Sequence, residues 1–149
     1  MKKIFLLVAV LILITVLVFL NYNYPDKKTP NVTINNHTFN LEIAKTEKER
    51  EIGLAKYTNI PQNFGMLFIF EKPGNYSFWM KNMKFPIDII FIKNNKIIKI
   101  FTNVPAPKSD NEQLPIYTPG QLSDTVLEIS AGFSEKYKFK NGDPVKIKL

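Results

Sequence analysis

The sequence contains no cysteine, and it has one histidine and one tryptophan among its 149 residues. Without cysteine, the chain can form no disulfide, no thiolate nucleophile, no cysteine-ligated metal site and no lipid-modified lipoprotein start. The lone histidine, His37, and the absence of a Gly-x-Ser-x-Gly elbow argue against serine–histidine catalysis. Since His37 follows Asn35-Asn36, we expect it to be an exposed turn residue.

Clustered charge is also missing, although the net charge is +7. The lysines are scattered and form no basic stripe interleaved with aromatics, so no nucleic-acid partner is expected. Ordinary solvated lysines explain this surface, which would also suit anionic envelope polymers or lipid headgroups. Asp110, Glu112 and Asp124 leave oxygen-only Ca²⁺ binding as an alternative, although they lack EF-hand spacing. We expect neither a metal nor a cofactor.

A long uncharged stretch is present at the N-terminus. Residues 4–20 follow Lys2 and Lys3, and as a helix they would be about 25 Å long. No pair of small residues follows them, as a signal peptidase would require. The sequence therefore predicts an uncleaved transmembrane anchor over residues 1–21, with its basic end in the cytoplasm and the following domain outside. If the segment is cleaved instead, the protein is secreted.

The remaining chain is predicted to be a short tether, residues 22–30, and one β-rich domain, residues 31–149. Hairpins are expected over 31–43 and 87–101, and further strands over 65–70, 76–81, 126–129 and 145–149. Thr46 and Glu49 form a capping box that starts a short helix reaching about Ala55. Residues 105–120 form a long, proline-rich loop. Many short strands with one or two short helices indicate a compact mainly β fold, either a sandwich or a barrel.

Several short motifs are spread along the domain. They are Gly-Leu at 53–54, Gly-Met-Leu-Phe-Ile-Phe at 65–70, Phe-Trp-Met-Lys-Asn at 78–82, Pro-Ile-Asp-Ile-Ile-Phe at 86–91, and Val-Leu-Glu at 126–128 with later glycines. Together they resemble the family called domain of unknown function 192. The resemblance implies a jelly-roll-like β-sandwich, often behind a signal or anchor, and it implies no established activity. Ala55 and Met83 depart from the family pattern, which usually has Met and Thr there.

The sole tryptophan suggests a binding surface. In a strand over 76–81, Trp79 would share the more polar face with Lys81, and Asn82 would follow. An aromatic platform beside ammonium and amide donors suits sugar rings or acidic ligands. We therefore expect Trp79, Lys81, Asn82 and Asp88 to contact a glycan-like or anionic component of the cell envelope, with the 105–120 loop as rim or lid. A covering helix or loop would instead make Trp79 part of the core.

Carboxylates provide the enzymatic alternative. Asp88 lies in an otherwise apolar strand, where a charge is costly unless it is paired. It could orient Lys81, or it could pin the nearby turn by accepting backbone hydrogen bonds. A hydrolase of an envelope polymer would use Asp88 with Glu128 or Glu42 as acid and base. Because Glu42 and Glu128 fall on polar faces of alternating strands, solvated or cross-strand-paired roles are favoured, and the prediction leans away from an enzyme. A protein-interaction domain without a small ligand is the third interpretation.

Overall fold

The computed structural model describes residues 2–22, 29–109 and 111–149. Helix α1, Lys2–Tyr22, includes an 18-residue stretch with a mean hydropathy of 2.7 and no buried residue. By length and composition, this apolar helix could cross a membrane. Most of the predicted tether, residues 23–28, lies outside the described residues. Asp110 also lies outside them.

The domain is mainly β, as the sequence predicts, and its sheet is curled into a half-barrel. After α1, the elements follow in the order β1 Asn31–Ile34, β2 His37–Ala44, α2 Glu47–Ile52, a 3₁₀ helix Gly53–Lys56, β3 Phe64–Gly74, β4 Ile87–Lys93, β5 Lys96–Val104, β6 Ser123–Ser130, α3 Phe133–Lys136 and β7 Val145–Lys148.

Seven strands form one sheet in the order β5-β4-β6-β3-β2-β1-β7. Neighbouring strands are antiparallel except for β2 and β3, which are parallel because α2 and the 3₁₀ helix connect them. The central position of β6, between β3 and β4, means that it has a partner along both edges. A side chain on β6 can therefore reach solvent only through the faces of the sheet.

Asparagine turns join the two predicted hairpins, which the structure confirms. Asn35 and Asn36 both have positive φ, as do Asn94 and Asn95. Two successive left-handed residues fit the two-residue turns whose twist matches that of paired strands, and asparagine tolerates this conformation better than most residues. The capping box is also confirmed, since Thr46 accepts from the Glu49 amide and the Glu49 carboxylate accepts from the Thr46 amide.

Apolar side chains are buried on both faces of the sheet. On one face, α3 and the segment after it cover a cluster that includes Phe39, Leu67 and Leu127. On the other face, Leu54 of the 3₁₀ helix and Met80 pack over a cluster around Phe68. Because both faces are covered, alternation along a central strand no longer separates buried from solvated positions.

The strand predicted over residues 76–81 is wrong. Only Phe78 makes strand-like pairing there, by exchanging backbone hydrogen bonds of 2.9 and 2.8 Å with Tyr117. The chain then turns, with the Met83 amide donating to the Met80 carbonyl and Asn82 at φ 60°. This segment bridges to the proline-rich loop and does not join the main sheet, so it carries its side chains above the second face.

Candidate functional site

A cleft of about 300 Å³ opens between α2, the 3₁₀ helix and the segment that carries Trp79. We call it the Trp79 cleft. Its apolar lining includes the side chains of Leu54, Phe68, Phe70, Tyr76, Phe78 and Trp79. Its polar lining consists of Glu47, Arg50, Glu51, Ser77, Lys81 and Glu128. Aromatic walls with a few polar groups are typical of small-ligand sites in proteins.

Trp79 lies at the mouth of this cleft with 54% of its surface exposed. The Lys81 ammonium lies 5.4 Å from the centre of the indole ring, within the range of a cation–π interaction. Neither α2 nor the proline-rich loop covers Trp79, so it is not a core residue. Asn82 is exposed directly after Lys81. Three of the four predicted ligand contacts therefore lie together on one accessible surface.

Glu128 contradicts the expectation of a solvated or paired carboxylate. It is 5% exposed on the central strand β6, and its cross-strand neighbours on the same face are Met66 and Ile89. Among the described residues, no hydrogen bond or ion pair reaches its carboxyl group. Burial raises the pKa of Glu128 to about 8. At neutral pH, its protonated carboxyl group borders the cleft as both a hydrogen-bond donor and an acceptor.

Helix α2 forms the opposite wall and is fixed by Arg50. The Arg50 guanidinium donates to the carbonyls of Lys45 and Ile69, the latter at 3.3 Å, and it lies 5.2 Å from the Phe70 ring centre. These contacts join the helix to the residue that follows β2 and to the middle of β3. Because the helix is only six residues long, the capping box and Arg50 are needed to hold it over the sheet.

Asp88 does not belong to the surface around Trp79. Its side chain is 0% exposed and accepts hydrogen bonds from the amides of Asn103 at 2.8 Å, Gly132 at 3.0 Å and Ser134 at 2.7 Å. Asn103 lies at a bulge in β5, and the other two amides begin α3. The prediction that Asp88 orients Lys81 is therefore wrong, because backbone amides occupy its carboxylate. Those amides come from β5 and α3, not from the neighbouring turn.

Glu42 also lies outside the cleft. Its carboxylate accepts from the Lys56 ammonium and the Tyr57 hydroxyl, beyond the 3₁₀ helix. Although partial burial acts to raise the pKa of Glu42, these two hydrogen bonds bring it below the usual value. Met66 stands between Glu42 and Glu128 in the strand register. The structure therefore does not bring Glu42, Asp88 and Glu128 together as an acid–base group.

The proline-rich loop borders the site, although it does not cover it. Ile116 lines a shallow hollow with Ser77, Phe78 and Trp79, and the pairing of Tyr117 with Phe78 fixes this part of the loop. His37 is remote from the cleft. Its ring stacks on Tyr137 with centroids 3.6 Å apart, so the expectation of a simple exposed turn residue is wrong.

The geometry of the cleft can be compared with that of known proteins. The family model DUF192, described as "Uncharacterized ACR", matches residues 30–147. The chain belongs to this family. The resemblance seen in the sequence motifs is thus confirmed over almost the whole domain. Among curated proteins, none matches this chain.

Two solved structures are similar to this one. A protein of unknown function from Novosphingobium aromaticivorans is 30% identical, with 79% of this chain and 83% of that chain covered and a TM-score of 0.68. A putative transcription regulator from Sinorhizobium meliloti is 27% identical, with 79% and 91% covered and the same TM-score of 0.68. These similarities support the fold and leave the activity of this DUF192 protein open.

Sequence reasoning missed Arg50 and the buried position of Glu128 as parts of the site. A signal for Glu128 was present, since it interrupts the apolar run at 126–129 just as Asp88 interrupts 87–92. The apolar context predicts burial at both positions. Burying a carboxylate among apolar residues is costly in free energy unless it is hydrogen-bonded or protonated. Arg50 gave no comparable signal, since its role depends on where α2 packs.

Proposed function

We propose that this DUF192 domain binds a glycan-like ligand in the Trp79 cleft, with a sugar ring stacked on the indole. The observation that carries the proposal is the half-exposed Trp79 at the mouth of a cleft that a buried carboxyl group borders. An exposed tryptophan removes little apolar surface from water in the free protein. A flat ring placed on it would gain stacking and burial together.

The polar groups of the cleft match the hydroxyl groups of a sugar. Protonated Glu128 can donate to one oxygen and accept from another. Lys81 in the cleft and Asn82 in the adjoining hollow offer donors near the indole. The carboxyl group is not satisfied by another described residue, so a ligand hydroxyl would supply the partner that it lacks. An aliphatic ligand would leave these groups unpaired.

We further propose that α1 anchors the protein in the cell membrane, with the basic N-terminus in the cytoplasm and the domain outside. Lys2 and Lys3 precede the apolar stretch, as the positive-inside rule requires for this orientation. An outward-facing domain would meet the polysaccharides of the envelope. The ligand would then be an envelope component, and the short tether would keep the domain near the membrane surface.

A hydrolase remains a second candidate because of Glu128. A glutamic acid with a pKa near 8 is protonated at neutral pH, as a general acid that protonates a leaving group must be. Its catalytic partner would have to be another carboxylate bordering the cleft, and Glu47 and Glu51 are the two that do so. Asp88 and Glu42 cannot serve, since neither reaches this cleft.

Trp79 fluorescence tests the proposal directly, because the chain has no other tryptophan. The full chain would be placed in a neutral detergent without a sugar headgroup and titrated with peptidoglycan fragments, neutral oligosaccharides and acidic sugars. We expect one glycan class to shift the emission saturably. Release of reducing ends during the same incubation would identify a hydrolase, and its absence would indicate a binding module.

Substitutions of cleft residues test whether the glycan binds in the Trp79 cleft. Calorimetry of Trp79→Ala and Glu128→Ala should show at least tenfold weaker binding, given the stacking and hydrogen bonds removed. Leu122→Ala is the matched control, since Leu122 is also an exposed apolar residue but does not line the cleft. Wild-type affinity in Trp79→Ala would refute the site. Indifference of the wild type to every glycan would favour a protein-interaction domain.

A further inference from the structure

A second cleft, of about 360 Å³, adjoins the first at Lys81. Its lining includes Lys81, Asn82, Lys84, Lys108 and Ser109, and we call it the lysine cleft. We propose that the lysine cleft binds a phosphate group of the glycan whose ring stacks on Trp79. This inference rests on the proposed function and specifies the ligand as a phosphorylated glycan.

The described residues give the lysine cleft charge of one sign. Of these residues, three with ammonium groups line it and none with a carboxylate does. The one ion pair among the described residues joins Lys56 to Glu42, so no described carboxylate lies within 4.0 Å of the three lysine nitrogens. Uncompensated positive charges that share a cleft repel each other, and a bound phosphate would relieve this repulsion while accepting several hydrogen bonds.

The backbone holds these lysines on two separate segments. Lys81 and Lys84 flank a turn that the left-handed Asn82 and the buried Met83 fix in place. Lys108 belongs to the proline-rich loop, where its amide donates to the Glu112 carboxylate at 2.6 Å. The Glu112 carboxylate thus closes its own loop and does not line the cleft. Positive charge converges here from segments that are distant in sequence.

Lys81 links the two clefts, since it lines both and also lies over the Trp79 indole. A ring on Trp79 would therefore place its substituents next to the lysine cleft. A neutral sugar would use only the Trp79 cleft. A phosphorylated sugar would use both, and the added charge–charge contacts predict tighter binding.

The test compares tri-N-acetylglucosamine with the same trisaccharide phosphorylated on a 6-hydroxyl group. Each is titrated by calorimetry into the full chain in the detergent described above. We expect the phosphate to tighten binding by about tenfold at low salt, and less at high salt. The double variant Lys84→Gln/Lys108→Gln should lose this advantage and keep its affinity for the neutral trisaccharide. Lys146→Gln/Lys148→Gln, an equal charge change on β7, should retain the advantage.

Two results would overturn the phosphate site and leave glycan binding intact. One is equal affinity of the wild type for both trisaccharides. The other is a phosphate advantage that survives in Lys84→Gln/Lys108→Gln. If neither trisaccharide binds, the phosphate site is tested by titrating inorganic phosphate and following the amide signals by NMR. Saturable shifts of the Asn82 and Ser109 amides, lost in the double variant, would support the phosphate site although glycan binding had failed, and absent shifts would overturn both.

A phosphate on a lipid headgroup is the other source of the same chemistry. Nanodiscs of neutral lipid and of lipid containing phosphatidylglycerol distinguish the two. Shifts of Asn82 and Ser109 that require the anionic lipid and that the phosphorylated trisaccharide cannot displace would assign the cleft to the membrane surface, and this outcome would overturn the glycan proposal. Displacement by the trisaccharide would support it.

Discussion

Glu42 on β2 and Glu128 on β6 lie on the same face of the sheet with β3 between them, and their pKa values move in opposite directions. Glu42 accepts hydrogen bonds from Lys56 and Tyr57, which favour its charged form. Glu128 lies between the apolar Met66 and Ile89 of the adjacent strands, and burial favours its neutral form. Two chemically similar residues on strands that both pair with β3 thus carry different charges at neutral pH, and each gives a pH-dependent prediction.

Glu128 should make the domain less stable as the pH rises. Between pH 4.5 and about 8, the unfolded side chain has lost its proton while the folded one keeps it. The free energy of unfolding should therefore fall by roughly 1 kcal/mol per pH unit over this window. Urea unfolding monitored by near-UV circular dichroism would measure this slope.

In Glu128→Gln, the contribution of this group to the slope should disappear, and the variant should be more stable than the wild type at pH 8 by on the order of a few kcal/mol. The other charged groups lining the cleft, Glu47, Arg50, Glu51 and Lys81, are unchanged in both proteins. Equal pH slopes in the two proteins would contradict the burial of an unpaired carboxyl group. A carboxyl ¹³C titration of Glu128 would give its pKa independently.

Glu42 should change the free energy of unfolding with pH in the opposite direction. Because its folded pKa is lowered, its stabilising contribution is present above pH 4.5 and is lost as the pH falls through the folded pKa. The Glu42 and Lys56 side chains are 34% and 41% exposed, so solvent screens the pair, and Glu42→Gln should cost less than about 1 kcal/mol at pH 7. The exposed Glu71→Gln is the control. A cost above 2 kcal/mol would mean that this pair is a major support of the 3₁₀ helix.

Asp88 should matter for stability and not for ligand binding. Its carboxylate satisfies three backbone amides, so Asp88→Asn should lower the free energy of unfolding by about 3 kcal/mol, since hydrogen bonds to a charged acceptor are lost. Asp124→Asn, at a partly exposed carboxylate that accepts from the Asn94 amide, should cost less than half as much. If Asp88→Asn left stability unchanged and weakened glycan binding, Asp88 would belong to the binding surface and this prediction would be contradicted.

Gly65 should tolerate no side chain. A Cβ atom there would lie 2.7 Å from the Glu128 carbonyl oxygen and 2.9 Å from Ile129 Cγ2, on the neighbouring strand β6. We expect Gly65→Ala to cost about 2–3 kcal/mol, because the backbone would have to move. Gly74→Ala is the comparison and should cost less, since the three atoms nearest to its Cβ belong to the Tyr76 side chain and not to the backbone. Thermal unfolding of both variants would show whether β3 and β6 need this close approach.

Much of the domain was predictable because its determinants are local. The two asparagine turns specify their hairpins through positive φ, and Thr46 with Glu49 specifies the start of α2. The strand over 76–81 was predicted wrongly for the same reason. Its alternation is real, but pairing requires a partner strand, and only Tyr117 is available to it. Strand pairing is a tertiary property that alternation alone cannot decide.

The candidate site was partly predictable. Trp79, Lys81 and Asn82 are so close in sequence that any local conformation keeps them close in space. In the structure they lie on one surface. Glu128 and Asp88 could not be placed in this way. The burial of each depends on what covers its face of the sheet, and the covering elements, α2 with its 3₁₀ helix and α3, come from other parts of the chain.

The sequence by itself determined an apolar helix that could span a membrane, a mainly β domain of the DUF192 family, and an aromatic residue beside cationic and amide groups. These depend on composition and short spacings, which operate over a few residues. Only the tertiary structure decided which of the two carboxylates in apolar strands has no hydrogen-bond partner among the described residues. Glu128 and Asp88 interrupt apolar strands in the same manner. Three backbone amides donate hydrogen bonds to Asp88, whereas Glu128 borders a cleft. Burial and hydrogen bonding, and with them charge, are set by the neighbours that folding brings together.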